Sequence, residues 1–300
     1  MSLIKLAPLA LAIAALPAFA GTPINETRAL AADGSVSIEN IKGRIIVRTW
    51  AQPQVRITGS LGKGAEKLEV DGDGRDLSIE VKYPDHKGNW SWNRNDFEPT
   101  TLEITVPQKA SLDIESVAAD VDVQQMAGRK LDVSSVSGNV VVTASSPGQA
   151  TVENVSGDIT LRITTDSVDV ENVSGDINIQ GGLSGRVSVE TVSGNATVLA
   201  KTLSKLQFSS VSGDADLQAA LATNGVVTSE TVSGTLRLGL PKATSAQLSI
   251  ETFSGDINSP VGKVDREEYG PGKSLNARLG QGQGKIRLES FSGNVNVELK

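Results

Sequence analysis

Three hundred residues that are 38% hydrophobic, 21% charged and 3% aromatic suffice for one or two folded domains with a real core, which excludes a disordered chain. One histidine, His86, and no cysteine exclude thiol nucleophiles, zinc fingers, thiolate clusters and disulfides, and leave any metal site to carboxylates, amides and carbonyls. With 28 Lys+Arg against 35 Asp+Glu, the net charge of −7 argues against nucleic acid as the main partner and for a neutral or cationic one.

The chain opens with MSLIKLAPLALAIAALPAFA: Lys5, an apolar stretch from Leu6 to Leu16, then Ala18-Phe19-Ala20 before Gly21. This pattern predicts a signal peptide cleaved after Ala20. The apolar run is too short for a membrane anchor and contains Pro8, and no later segment could span a bilayer. A lipid-attached form would need a cysteine at the cut. The expected mature protein is therefore exported, to the periplasm or the cell exterior.

From there on a repeat dominates. SSVSGNV, ENVSGDI, ENVSGDI, ETVSGNA, SSVSGDA, ETVSGTL, ETFSGDI and ESFSGNV place glycines at 138, 157, 175, 194, 213, 234, 255 and 293, spaced 19, 18, 19, 19, 21, 21 and 38. Earlier, ENIKGR puts Gly43 and ESVAAD puts Ala119 in the same place, four whole periods apart. Apolar residues recur seven and five positions before the glycine, Ile, Val or Phe two before it, and aliphatics two and four after it. Such alternation on both sides of a turn predicts two short strands per repeat. The register shifts by one where Asn, Ser or Thr intervenes, which places the aliphatic or aromatic side chain two before the glycine with the core and marks a corner. Glycine supplies the positive φ that the corner needs, and Asp or Asn usually follows it.

A unit of about 19 residues cannot bury its own apolar side, whereas copies stacked about 4.8 Å apart bury a continuous column. Propeller blades need longer periods and sandwiches do not repeat their turns. The predicted fold is all-β: a right-handed parallel β-helix, or β-solenoid, with rungs of about 19 residues. Residues 21–300 are expected to form one solenoid domain. It has irregular early rungs with an excursion over 83–99, regular rungs over 110–258, an irregular rung over 259–285 that lacks the turn signature, and a last rung over 286–300.

The excursion YPDHKGNWSWNRNDFEP concentrates Tyr83, Trp90, Trp92 and Phe97 beside Arg94 and several amides. Flat rings among polar groups suit sugar stacking or a protein hot spot, and they suit equally a cap over the early rungs. Catalysis by His86 with Asp85 or Asp96 lacks a second signal. The second excursion, SPVGKVDREEYGPGKSLNARLGQGQGK, is glycine-rich, but without GK[ST] and a following helix it is no phosphate loop. Four residues before the turn stands an acidic ladder: Glu39, Glu115, Glu153, Glu171, Glu190, Glu230, Glu251 and Glu289. These carboxylates are expected to point outward, as a calcium-binding face, a surface for a basic partner, or a solvated face that discourages aggregation.

The VSGD turns, the opening SIENIKGRIIVRTW, the middle LEITVPQKASLDIESV and the late LGQGQGKIRLESFSGNV together resemble the bacterial putative adhesin family, a domain of unknown function with β-helix-like repeats in exported or envelope-associated proteins. The resemblance spans about 30–300 and implies an envelope role, with no catalytic residue or cofactor to carry over. Three readings stay open: a non-enzymatic scaffold binding an envelope glycan or protein, a glycan-active β-helix such as a polysaccharide lyase or hydrolase, and a structural spacer. The final VNVELK shows no cap, so edge-to-edge self-association through the last rung is a further expectation.

Overall fold

The computed structural model describes residues 21–84 and 97–300; the leader and most of the aromatic excursion, including Trp90, Trp92, Arg94 and His86, lie outside the described residues. Within them the chain forms 21 β-strands and no helix, built into a parallel stack that is solenoid-like.

The centre of the stack follows from the repeat. Strands β8 (Lys130–Ser137), β9 (Val140–Ser145), β10 (Gln149–Ser156), β11 (Ile159–Ser174), β12 (Ile177–Ser193), β13 (Ala196–Ser212) and β14 (Ala215–Thr231) pair in parallel. Like residues stack on like. Leu131, Ala150, Val168, Val187, Leu206 and Val227 form one buried column, and Val140, Ile159, Ile177, Ala196 and Ala215 form another. In β11, β12, β13 and β14 the second strand of one repeat runs unbroken into the first strand of the next, whereas 146–148 separate β9 from β10. Differences in length are absorbed as register shifts, between Thr165 and Ser167 and between Gln180 and Ser184.

The alternation corrects one expectation. Val168, Val170 and Asn172 are all buried, so strict period two runs through the polar residue without a shift. Val173, two before Gly175, therefore points outward, and so do its equivalents. The reason is that the chain turns at the glycine and not before it. Gly175 has φ +123°, and a Cβ there would lie 2.2 Å from the carbonyl oxygen of Gly157 in the rung below. Positive φ and close backbone approach both demand glycine at this corner.

Both ends depart from chain order. At the C-terminal end, β15 (Thr235–Leu240), β16 (Ala246–Thr252) and β17 (Ile257–Asn258) are followed by β18 (Val264–Arg266), β19 (Lys273–Leu279), β20 (Gly284–Ser290) and β21 (Asn294–Leu299). Strand β20 lies between β14 and β16, pairing Ile286 with Val227 on one side and with Leu248 on the other. Strand β21 likewise pairs with β15 and β17. The last rung is thus interior, and it is the Gly255 rung that sits outside it. Of the expected irregular rung over 259–285, residues 259–283 supply no rung of the stack: β19 runs antiparallel along β16, and β18 along β19, as a cap, and only 284 and 285 join β20. For the self-association expected through the last rung, β20 is hydrogen-bonded along both edges and offers none, while β21, which carries VNVELK, pairs with β15 along its length and with β17 only at Ile257 and Asn258.

The N-terminal end is arranged in the same way. Strand β2 (Ser35–Trp50) stacks directly on β7 (Ser111–Gln124), Gly43 against Ala119, so the chain between these two strands contributes no rung there. It forms an outer layer instead, with β5 (Asp76–Lys82) and β6 (Thr100–Pro107) parallel to β2. Antiparallel strands β1 (Thr22–Ala29), β3 (Gln54–Leu61) and β4 (Lys67–Gly72) cover that layer: β3 lies on β6, β1 on β3, and β4 on β5.

Candidate functional site

Outside the buried columns, one face repeats three residues per rung. The residue four before the glycine is mostly Glu, the next is a buried Asn, Ser or Thr, and the third is an exposed aliphatic or aromatic. Stacking turns each position into a ladder, and together the ladders line a groove of 1410 Å³ running from Glu39 and Asn40 to Glu251 and Phe253.

The polar ladder forms the groove floor. Asn172 Nδ2 donates to the carbonyls of Gly157 and Gly175, both at 3.2 Å, and Asn154 Nδ2 does the same to Gly138 and Gly157. One buried amide therefore satisfies two corner carbonyls in successive rungs. At the last corners a hydroxyl serves: Thr252 Oγ1 accepts from Gly255 N at 2.7 Å, and Ser290 Oγ from Gly293 N at 2.8 Å.

One wall is apolar. Val136, Val155, Val173, Val192, Val211 and Val232 are each 46–49% exposed, and the stripe ends in Phe253 and Phe291, whose rings stack with centroids 4.9 Å apart. The other wall is acidic. Glu153 stands beside Glu171, Glu171 beside Glu190, and Glu230 beside Glu289, which in turn neighbours Glu251. Partial burial, then repulsion from Glu153 and Glu190, raises the Glu171 carboxyl above the usual carboxylate range. Glu39 is raised for the same reasons, with Glu80 and Glu115 as its neighbours. Glu289 is paired with Arg287. Among the described residues the groove is lined by nine glutamates and one cation, Lys273, a formal charge of −8 in a chain whose total is −7. Lys273 itself is held at the far end by Asp256, at 2.5 Å.

A family model described as Toastrack DUF4097 matches residues 34–298, nearly the whole stack. The chain belongs to that family. Among solved structures, a putative adhesin from Bacteroides fragilis is 14% identical with a TM-score of 0.45, covering 93% of this chain and 97% of that one. A putative cell adhesion protein from Clostridium sporogenes is 13% identical, TM-score 0.22, covering 93% and 100%. A putative lipid binding protein from Parabacteroides distasonis is 11% identical, TM-score 0.34, covering 92% and 97%. Likeness at this level carries no functional argument. No curated protein matches the sequence.

In this Toastrack chain the described ends of the aromatic excursion close over the head of the groove. The segment 83–99 joins β5 to β6, where inner rungs have their glycine corner. Tyr83 and Phe97 meet edge to face at 5.0 Å, the Tyr83 hydroxyl donates to Asn40 Oδ1 at 3.3 Å, and Lys42 Nζ donates to the Phe97 carbonyl at 2.9 Å. Burial raises the Tyr83 phenol. The structure thus brings Tyr83 and Phe97 together, and it gathers Glu153, Glu171, Glu190, Glu230 and Glu251 into one wall. The sequence reading missed the valine wall. Its signal was present, since the positions seven, five and three before the glycine alternate strictly and leave the position two before it outside. Among the described residues no helix is long and apolar enough to cross a membrane.

Proposed function

We propose that this Toastrack chain is a non-enzymatic exported scaffold of the cell envelope that binds its partner along the groove face. The carrying observation is the stripe of half-exposed valines, ending in two stacked phenylalanines, beside an acidic wall that only Ser134 and Ser209 interrupt among its ten rungs. A contiguous apolar surface rimmed by polar groups is a mark of an interaction site. The non-enzymatic reading is supported by the repetition itself. Acid–base chemistry uses carboxylates whose environments differ, whereas eight of the nine groove glutamates are copies of the same position and Glu39 and Glu171 are perturbed in the same direction by the same leading causes. In this reading the stack is a single right-handed parallel β-helix with rungs of about 19 residues, following the strong preference of parallel crossovers, and export follows from the leader pattern of residues 1–20.

The test is retention of the purified chain on isolated envelope and cell-wall glycan fractions. A Val155→Ser/Val173→Ser/Val192→Ser variant that keeps its circular dichroism spectrum is expected to lose retention at least about tenfold, because these side chains lie outside the buried core and present about half their surface to the groove. Retention equal to the unaltered chain sinks the groove reading. If a Trp90→Ala/Trp92→Ala variant alone loses retention, the aromatic excursion is the contact instead.

A further inference from the structure

We infer that the groove receives a cationic amphipathic α-helix, a partner segment with apolar residues on one face and lysines or arginines flanking them. This rests on the groove being the binding face and names its occupant.

Charge decides the sign. The groove lining carries −8, which is more than the whole chain's −7, so the rest of the surface is close to neutral and the field converges on this trough. An anionic lipid surface is repelled by such a wall. A second copy docked groove to groove would oppose −8 with −8. The unrelieved repulsion along Glu153, Glu171 and Glu190 is what a row of cations would neutralise.

Geometry decides the shape. The acidic wall and the apolar wall run parallel, two positions apart on each strand, for ten rungs from Glu39 to Glu251, with glutamate in eight of them and Ser134 and Ser209 in the other two. At ~4.8 Å per rung the trough is about 43 Å long. An α-helix returns the same face every ~5.4 Å, about 0.6 Å more than the rung spacing, so the drift reaches half a rung only after about four turns and one rung over the whole trough, a slip that flexible lysine stems can follow. An extended strand returns the same face only every ~6.7 Å and falls out of step within two or three rungs. A helix about 28 residues long matches the trough at ~1.5 Å per residue. The two ladders then ask for what one side of an amphipathic helix offers: an apolar row at i, i+3, i+4 and i+7, and cations beside it. Phe253 and Phe291 close the apolar row at one end.

The experiment uses a fluorescein-labelled leucine–lysine peptide of that length with the leucines on one helical face, and a scrambled peptide of the same composition. Anisotropy and circular dichroism are followed with the full chain, with Glu153→Gln/Glu171→Gln/Glu190→Gln, and with Val155→Ser/Val173→Ser/Val192→Ser. The expected result is binding with a gain of peptide helicity, weakened at least tenfold by either variant and by raising salt from about 50 to about 500 mM. Both variants are checked for native circular dichroism. The inference is overturned if the peptide does not bind, if the scrambled peptide binds within twofold, or if the valine variant binds unchanged, which would mark a plain polyanion. Capture of anionic phospholipid vesicles through the valines would likewise overturn it in favour of a membrane. Envelope retention lost in the valine variant without peptide binding leaves the scaffold reading standing and removes this occupant, whereas loss of neither removes both.

Discussion

The residue after each corner glycine acts between rungs, beyond the turn itself. Asp176 Oδ1 accepts from Asn195 N at 2.9 Å, Asp158 Oδ1 from Asp176 N at 2.9 Å, and Asn195 Oδ1 from Asp214 N at 3.1 Å, so one side-chain oxygen caps the next rung's amide all along the corner. Asp176→Ala is expected to cost about 1 kcal/mol in urea denaturation, while Asp176→Asn keeps the acceptor and stays within about 0.5 kcal/mol of the unaltered chain. The glycine beside it is less tolerant. Gly194 has φ +132° and its Cβ would lie 2.1 Å from the Gly175 carbonyl oxygen, so Gly194→Ala should lower stability by about 3 kcal/mol, measured in the same way. The acidic wall gives a signed pH effect. A carboxyl whose folded pKa is raised binds more protons folded than unfolded, so its contribution to stability falls as pH rises through the two values. Glu171→Gln should therefore raise the melting temperature at pH 7, with a gain under about 1 kcal/mol after screening, and the gain should vanish below the ordinary carboxylate value of ~4.3. A constant difference from pH 3 to 7 would contradict the repulsive ladder.

At the scale of elements, the chain order of strands is not their order in space. The repeat made the solenoid-like stack legible, because identical turns at fixed spacing admit few other architectures. It could not show which neighbour each end rung would choose. ETFSGDI and ESFSGNV carry equivalent signatures, and nothing local says that Gly293 stacks on Gly234 while Gly255 stacks on Gly293. The four-period spacing between Gly43 and Ala119 misled for the same reason, since an excursion that returns to its starting rung mimics a whole number of periods. For the groove, the glutamate ladder was legible as an outward face, while the valines were hidden by the assumption that every aliphatic column faces inward. A chain ending at Gln283 tests the interior placement of β20 and β21. It should lose the ordered state of β15 to β19 together, seen as new protease cleavage across 235–279, because both sides of the vacated slot lose their hydrogen-bond partners. Cleavage confined to the new terminus would contradict it.

On the scale of the whole molecule, the caps address the weakness of any open stack, which is a free edge at each end. Strand β1, the outer member of the β6–β3–β1 series, carries Pro23, Glu26 and Arg28, the last two ion-paired at 2.6 Å, which blunts it as a template for another chain. Repulsion between acidic faces opposes side-by-side association. Sedimentation velocity should accordingly give one species at a fixed coefficient from about 1 to about 100 μM at about 150 mM salt; growth with concentration would locate an unprotected edge.

The interior position of the last strands has a temporal meaning. Translation delivers the chain from its amino end, and Ile286 must find Val227 across several periods of intervening chain, where inner rungs close over a single one. The added closure entropy is only about 1 kcal/mol, but it falls on the final step. Contacts this distant in sequence fold slowly, so the growing polypeptide holds a gap open for β20 and β21. Strands β20 and β21 have to arrive before the gap can shut, and a product that stops short of them carries an unfilled slot that a protease can find.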